Sequence, residues 1–267
     1  MAISAAELAV LVKITGAFEN SGDPYQGVSG DFDGQGISCG VLQWNIGQGS
    51  LQRLLKDLGQ ARVKALMPTY GTQMWQAASV SIPAGLAIVR GWQTNKVLKA
   101  TPRAELKAMM GASDMKAIQD KYIAQVGIKA EGYANAWAAA SGMPSRTNQQ
   151  LAFFFDIVTQ NGSTSGLTFQ DVKDFKAATT PGNADDLVCD WMLSRPKNMA
   201  GKKDGDKNAA LWRNKLSGDA YNLLVFAYLR SQKANPKWRL DVMNRKGTLA
   251  ARKGWVHQGL RDLTGII

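Results

Sequence analysis

The sequence predicts a mostly helical fold, a bundle of helices around one buried central helix with a single small β-hairpin near the N-terminus. Three observations carry this. Apolar residues recur at helical spacing along most of the 267 residues. The stretch LAFFFDIV, from Leu151, is apolar on most faces, so other helices must surround it. The one convincing strand signal is the glycine-rich run from Val28 to Trp44.

Taken in order, residues 4–18 carry Leu8, Leu11, Val12 and Phe18 at helical spacing. Ser4 serves as a cap, and Glu7 completes a capping box. Ser50 is placed to cap the next helix, whose stripe is Leu51, Leu54, Leu55 and Leu58, with Gly59 as its stop. Thr101-Pro102 starts another helix, because proline in the first turn loses no hydrogen bond. Ser113-Asp114 opens a further one. The central helix occupies 146–160 and ends at Asn161-Gly162, and later helices fall at 167–178, 183–194, 206–216 and 219–232. The run GKKDGDK, Gly201 to Lys207, reads as an exposed loop and as the candidate break between two lobes of one domain spanning 1–267.

Composition narrows the function classes. Apolar residues make up 45% of the chain and mean hydropathy is slightly negative, as in a globular monomer. The longest apolar runs, such as Leu151 to Phe155, are too short to cross a bilayer, so no membrane insertion is expected. The N-terminus lacks the basic start of a cleaved export signal, and Glu7 and Lys13 interrupt its apolar part. Cys39 and Cys189 are the only cysteines and His257 the only histidine, which disfavours a catalytic zinc site. No metal or organic cofactor is expected.

Charge is unevenly spread. Residues 1–194 hold 16 Lys/Arg against 16 Asp/Glu, whereas 195–267 hold 16 against 5 and so supply the whole net charge of +11. Such asymmetry points to a basic surface that docks on a polyanion, with a plainly solvated face as the alternative.

The chemistry concentrates between Phe18 and Asn45. Glycoside cleavage needs a carboxylic acid to protonate the leaving oxygen and a second carboxylate to activate water or stabilise the oxocarbenium-like centre. Glu19 follows Phe18 at the end of an apolar helix, a setting that can raise its pKa. Asp33, with Asp31 as its nearest rival, sits among glycines that let the backbone turn sharply. Ser38 is placed to help hold the attacking water. Gln43 and Asn45, read as sharing a strand face, are candidates for contacting sugar hydroxyls or N-acetyl groups, and Tyr25 in the same stretch is a further substrate-binding candidate.

This helix-terminal Glu, Asp-bearing hairpin and amide-bearing strand resemble the lysozyme superfamily. Asp33 to Ser38, DGQGIS, is similar to the Asp-Gly-x-Gly-aromatic-Thr segment of its chitosanases, with Ile37 and Ser38 departing from that pattern. Phe155 to Gly162 resembles the central-helix segment of the same group, which implies that Asp156, Gln160 and Asn161 line a cleft floor. Arg245 to Leu249 and Trp255 to Gly259 resemble the closing segments of phage-type and effector-type peptidoglycan hydrolases. The resemblance implies an α+β lysozyme-like fold and glycosidase activity.

Chitosan is a polycation and would be repelled by the basic segment, whereas peptidoglycan and its attached polymers are net negative. The expectation is therefore cleavage of the peptidoglycan glycan strand in the wall or periplasm of a bacterial target. Were the chain an exported effector, a cognate immunity protein would be its partner. Three alternatives stand beside this: a chitosanase, a cell-wall peptidase using Cys39 and His257, and a non-catalytic basic module for polysaccharide or nucleic acid. The first half of a calcium loop is imitated at Asp31 to Gly36, but its twelfth position is Leu42 rather than a bidentate Glu.

Overall fold

The computed structural model describes residues 3–18, 22–179 and 183–267. Helix accounts for 64% of the described residues and strand for 7%, so the mostly helical class holds. No helix among the described residues is long and apolar enough to cross a membrane. The chain divides into two compact units, one of residues 1–18 with 126–267, the other of residues 19–125.

The first helix, α1 (Ala5–Phe18), opens with the expected capping box: Ser4 N–H donates to Glu7 Oε2 at 2.9 Å, and Glu7 N–H to Ser4 Oγ at 3.3 Å. The smaller unit then lays down β1 (Val28–Ser29), β2 (Ser38–Cys39) and β3 (Trp44–Asn45) as a three-stranded antiparallel sheet in that order. Val28 faces Cys39, and Cys39 faces Trp44. The predicted hairpin is thus three two-residue strands, because turns interrupt the glycine-rich run. Four short helices follow: α2 (Ser50–Leu58), α3 (Gln60–Leu66), α4 (Gly71–Ser79) and α5 (Ile82–Arg90). Ser50 lies inside α2 rather than capping it; its hydroxyl accepts from Asn45 N–H at 2.8 Å. Gly59 ends α2 at φ 85°, as expected of a stop.

A second hairpin, β4 (Gln93–Thr94) and β5 (Val97–Leu98), leads to α6 (Ala100–Gly111) and to α7 (Ser113–Ala140), whose start belongs to this unit. The unit's core joins Ile37, Val41 and Ile46 to Leu51, Leu54 and Leu55 of α2, with Met74, Val89, Leu106 and Met109, all within 1% of complete burial.

In the larger unit α8 (Asn148–Asn161) is the predicted central helix, with Gln149 to Val158 continuously buried and Gly162 closing it at φ 75°. Thr147 and Gln150 cap its start reciprocally. Around it lie α1, the rest of α7, and α9 (Phe169–Ala178), α10 (Ala184–Leu193), α11 (Lys202–Trp212), α12 (Gly218–Gln232) and α13 (Arg239–Ala251), ending in the hairpin β6 (Lys253–Val256) and β7 (Gly259–Asp262). Phe153, Phe154, Phe226 and Trp137 pack edge-on or tilted, with centroids 5.4–5.9 Å apart. Arg146 ties α1 to α7 by pairing with Glu7 at 2.5 Å and Glu131 at 3.0 Å.

Two expectations are corrected here. Gly201 to Lys207 is not an exposed loop: α11 begins at Lys202, and Lys202, Asp204 and Gly205 are buried because that turn packs on α13. The division between units falls at 18/19 and 125/126 rather than near 201–207. The hairpins at 93–98 and 253–262 were also not anticipated; their strands are too short or too mixed in polarity to alternate recognisably.

Candidate active site

The carboxylates of the 30–37 loop have opposite environments. Asp31 is 6% exposed. Its Oδ1 accepts from Gly36 N–H at 2.7 Å and its Oδ2 from Arg90 Nε at 2.8 Å. Its own N–H donates to Gln93 Oε1 and to the Lys96 carbonyl. Burial pushes the Asp31 carboxyl up, but the Gly36 N–H and Arg90 outweigh it and hold the group below the usual range. Arg90 also donates to the Gly34 carbonyl at 3.0 Å, and Gln93 Nε2 to that of Gly36 at 2.8 Å. The loop is thereby pinned to the end of α5 and to β4.

The glycines serve close approach: a Cβ at Gly30 would lie 2.1 Å from the Lys96 carbonyl oxygen, and one at Gly36 2.7 Å from Leu86. Both oxygens of Asp31 thus hold the loop together.

Asp33 lies at the exposed tip of this pinned loop, beside Phe32, which is 69% exposed. Its Oδ1 accepts from Gln35 N–H at 3.1 Å in a local turn, and the residue is exposed to solvent. Glu19 lies outside the described residues. Its neighbour Phe18 is wholly buried in the larger unit, with the Arg245 guanidinium 4.6 Å over its ring. His257 Nδ1 stands 3.3 Å from the Phe18 carbonyl oxygen. His257 Nε2 is 3.8 Å from Asp241, a loose pairing at best.

The other expected residues are mostly committed to the protein itself. Ser38 is buried in the middle strand, paired with Ser29 and Asn45, where bulk water does not reach it. Gln43 is not on a strand face. It sits in a turn at φ 54°, its amide donating to the Gly40 carbonyl and accepting from Ser29 Oγ. Asn45 is 6% exposed and builds the next turn, its Oδ1 accepting from Gln48 N–H at 2.8 Å. Tyr25 donates to Asp120 at 2.5 Å with Lys116 over its ring, and burial and that bond push its phenol up.

In the larger unit Asp156 is 3% exposed, with Arg245 Nε at 2.6 Å and the fully buried Lys246 Nζ at 3.1 Å. Burial raises Asp156, and these cations outweigh it and hold it ionised. Gln160 accepts from Lys246 at 3.0 Å, while Asn161 Oδ1 is buried with no partner among the described residues. Asp156 is thus a member of an internal charged cluster, whereas Gln160 is exposed and reaches Lys246 from the surface. Sequence reasoning missed Arg90, which is 59 residues from Asp31. It also left Arg245 and Lys246 without roles, although two consecutive cations inside an apolar helical pattern are a signal of a buried carboxylate partner.

Cys39 is wholly buried in β2, and burial pushes its thiol up to about 12, far from the accessible thiolate a peptidase needs. Among the described residues no group of three or more His, Cys, Asp or Glu could hold a metal ion. No family model, curated protein or solved structure matches the chain.

Proposed function

We propose that the chain is a glycoside hydrolase that cleaves the glycan strand of bacterial peptidoglycan. Glu19 is the general acid and Asp33 the second carboxylate, both carried by the smaller unit. The observation that supports this most is Asp33 itself, an open carboxylate on a loop held rigid by the Asp31–Arg90 pair. A reacting group gains from such support, because positioning rather than strength of contact sets its contribution. Asp31, Ser38 and Asn45 then serve as the scaffold of that loop and its sheet. The basic segment 195–267 would draw the net-negative wall toward the enzyme, an effect that fades as salt rises.

Zymography on purified murein tests the proposal. Wild type clears the gel and Glu19→Gln does not; binding without clearing by either protein would favour a non-catalytic module.

A further inference from the structure

The first turn of α10 borders an open cavity of about 280 Å³ within the larger unit, lined by Asp185, Asn214, Leu216 and Tyr221. The connection from α11 to α12 folds back on α10 to build it. Arg213 pairs with Asp186 at 3.0 Å and also with Asp190. The next residue, Asn214, turns left-handed at φ 54°, a backbone that asparagine tolerates better than most side chains. Its N–H donates to Asp185 Oδ2 at 2.7 Å. Tyr221 joins from the first turn of α12.

Asp185 is the unusual member. It is 3% exposed, yet the Asn214 N–H is the one hydrogen bond its carboxylate accepts, and among the described residues it forms no ion pair. Arg213 is occupied by Asp186 and Asp190. Lys176 lies over the Tyr221 ring, 4.7 Å from its centroid, and donates to Asn222 Oδ1 at 2.9 Å. A place in the first turn of a helix eases the charge of Asp185. It does not supply partners, which a buried carboxylate ordinarily has in full, and the residue lines unfilled space instead. Burial, and then Asp185, push the Tyr221 phenol up, so its hydroxyl stays protonated at neutral pH.

We propose that this cavity binds a primary ammonium on a compact organic frame, an amino sugar or a lysine-type side chain. Asp185 is the counter-ion, the Tyr221 hydroxyl a further acceptor, and Leu216 packs on the carbon frame. A charged hydrogen bond to a carboxylate shielded from water is strong enough to select such a group. The volume is at the lower end of small-molecule sites and suits one sugar or one side chain rather than a length of polymer. A divalent metal wants several oxygen ligands, and among the described residues no group of three His, Cys, Asp or Glu stands together. The site lies apart from Asp33 in sequence and does not depend on the cleavage proposed above.

The test follows the Asn214 N–H resonance of the ¹⁵N-labelled full chain during titration. D-glucosamine and Nα-acetyl-lysine amide are the probes; N-acetylglucosamine and Nα-acetyl-norleucine amide are their uncharged counterparts. At least one amine should shift the resonance saturably while its uncharged counterpart does not, and the tighter of the two names the source. Asp185→Asn keeps an acceptor for Asn214 and should weaken binding about tenfold or more, on the scale of a lost charged hydrogen bond. Tyr221→Phe keeps the ring and should weaken it roughly threefold, which serves as the readout if Asp185→Asn disturbs the fold. Lys176→Met removes a neighbouring cation and should tighten binding. No saturable shift with either amine would overturn the proposal, as would equal binding of the uncharged counterparts. So would unchanged affinity in Asp185→Asn, or weaker binding in Lys176→Met, which would mark the ligand as an anion. Saturation by calcium in place of the amines would overturn it in favour of a metal.

Discussion

Lys246 is entirely buried, and its ammonium lies 3.1 Å from Asp156, a carboxylate that Arg245 holds from the other oxygen at 2.6 Å. Burial pushes Lys246 down, and Asp156 is what opposes that shift. Removing the carboxylate leaves buried cations without it. Asp156→Ala should therefore cost roughly 3–5 kcal/mol, read as a lower urea midpoint. Lys246→Met, which leaves Asp156 with Arg245, should cost clearly less. Equal losses would mean that the cluster is not organised around Asp156.

Asp31 and Asp33 should separate stability from activity. Asp31→Ala removes the acceptor of Arg90 and Gly36 and should lower stability by about 1–3 kcal/mol, with lost activity following from a displaced loop. Asp33→Asn should leave the unfolding midpoint unchanged and reduce turnover by about a hundredfold or more. Thermal melts beside reducing-end assays check both, and the reverse pattern would exchange the two roles.

Acid should destabilise the fold through named carboxylates. Glu7 is lowered to about 2, chiefly by the Ser4 N–H and also by Arg146, and Asp31 and Asp156 are lowered too. A folded pKa below the unfolded one gives stability that is present above the unfolded value and lost as pH falls through the folded one. Urea midpoints should thus stay level from pH 7 to about 5 and fall steeply below about pH 4. Glu7→Gln should blunt the part of that fall nearest pH 2.

Cys39 should behave as core. A disulfide thiol reagent at pH 8 should leave it unlabelled in the native protein and label it in urea, and Cys39→Ala should retain murein clearing. Prompt native labelling with loss of activity would revive the peptidase alternative.

How legible this was in the sequence depended on range. Local signals read well: the Ser4–Glu7 box, the Gly59 and Gly162 stops and the buried central helix are each set by residues within a few positions of one another. The loop at Gly201 to Lys207 failed because charge and glycine were weighed without their partner, α13, which packs on Gly205 through Leu240. At the candidate site the loop and its two aspartates were visible, but the partners that bury Asp31 were not: nothing near it in sequence names Arg90 or Gln93. Gln43 was misplaced because alternation cannot reveal a left-handed residue, at φ 54°, just before a strand; Asn45 does lie in β3.

The most direct measurement is release of reducing ends from purified murein by wild type, Glu19→Gln and Asp33→Asn, each first shown to unfold at the wild-type urea midpoint. The account predicts steady release by wild type and loss of roughly two orders of magnitude or more in both variants. Wild-type rates from Glu19→Gln would contradict it.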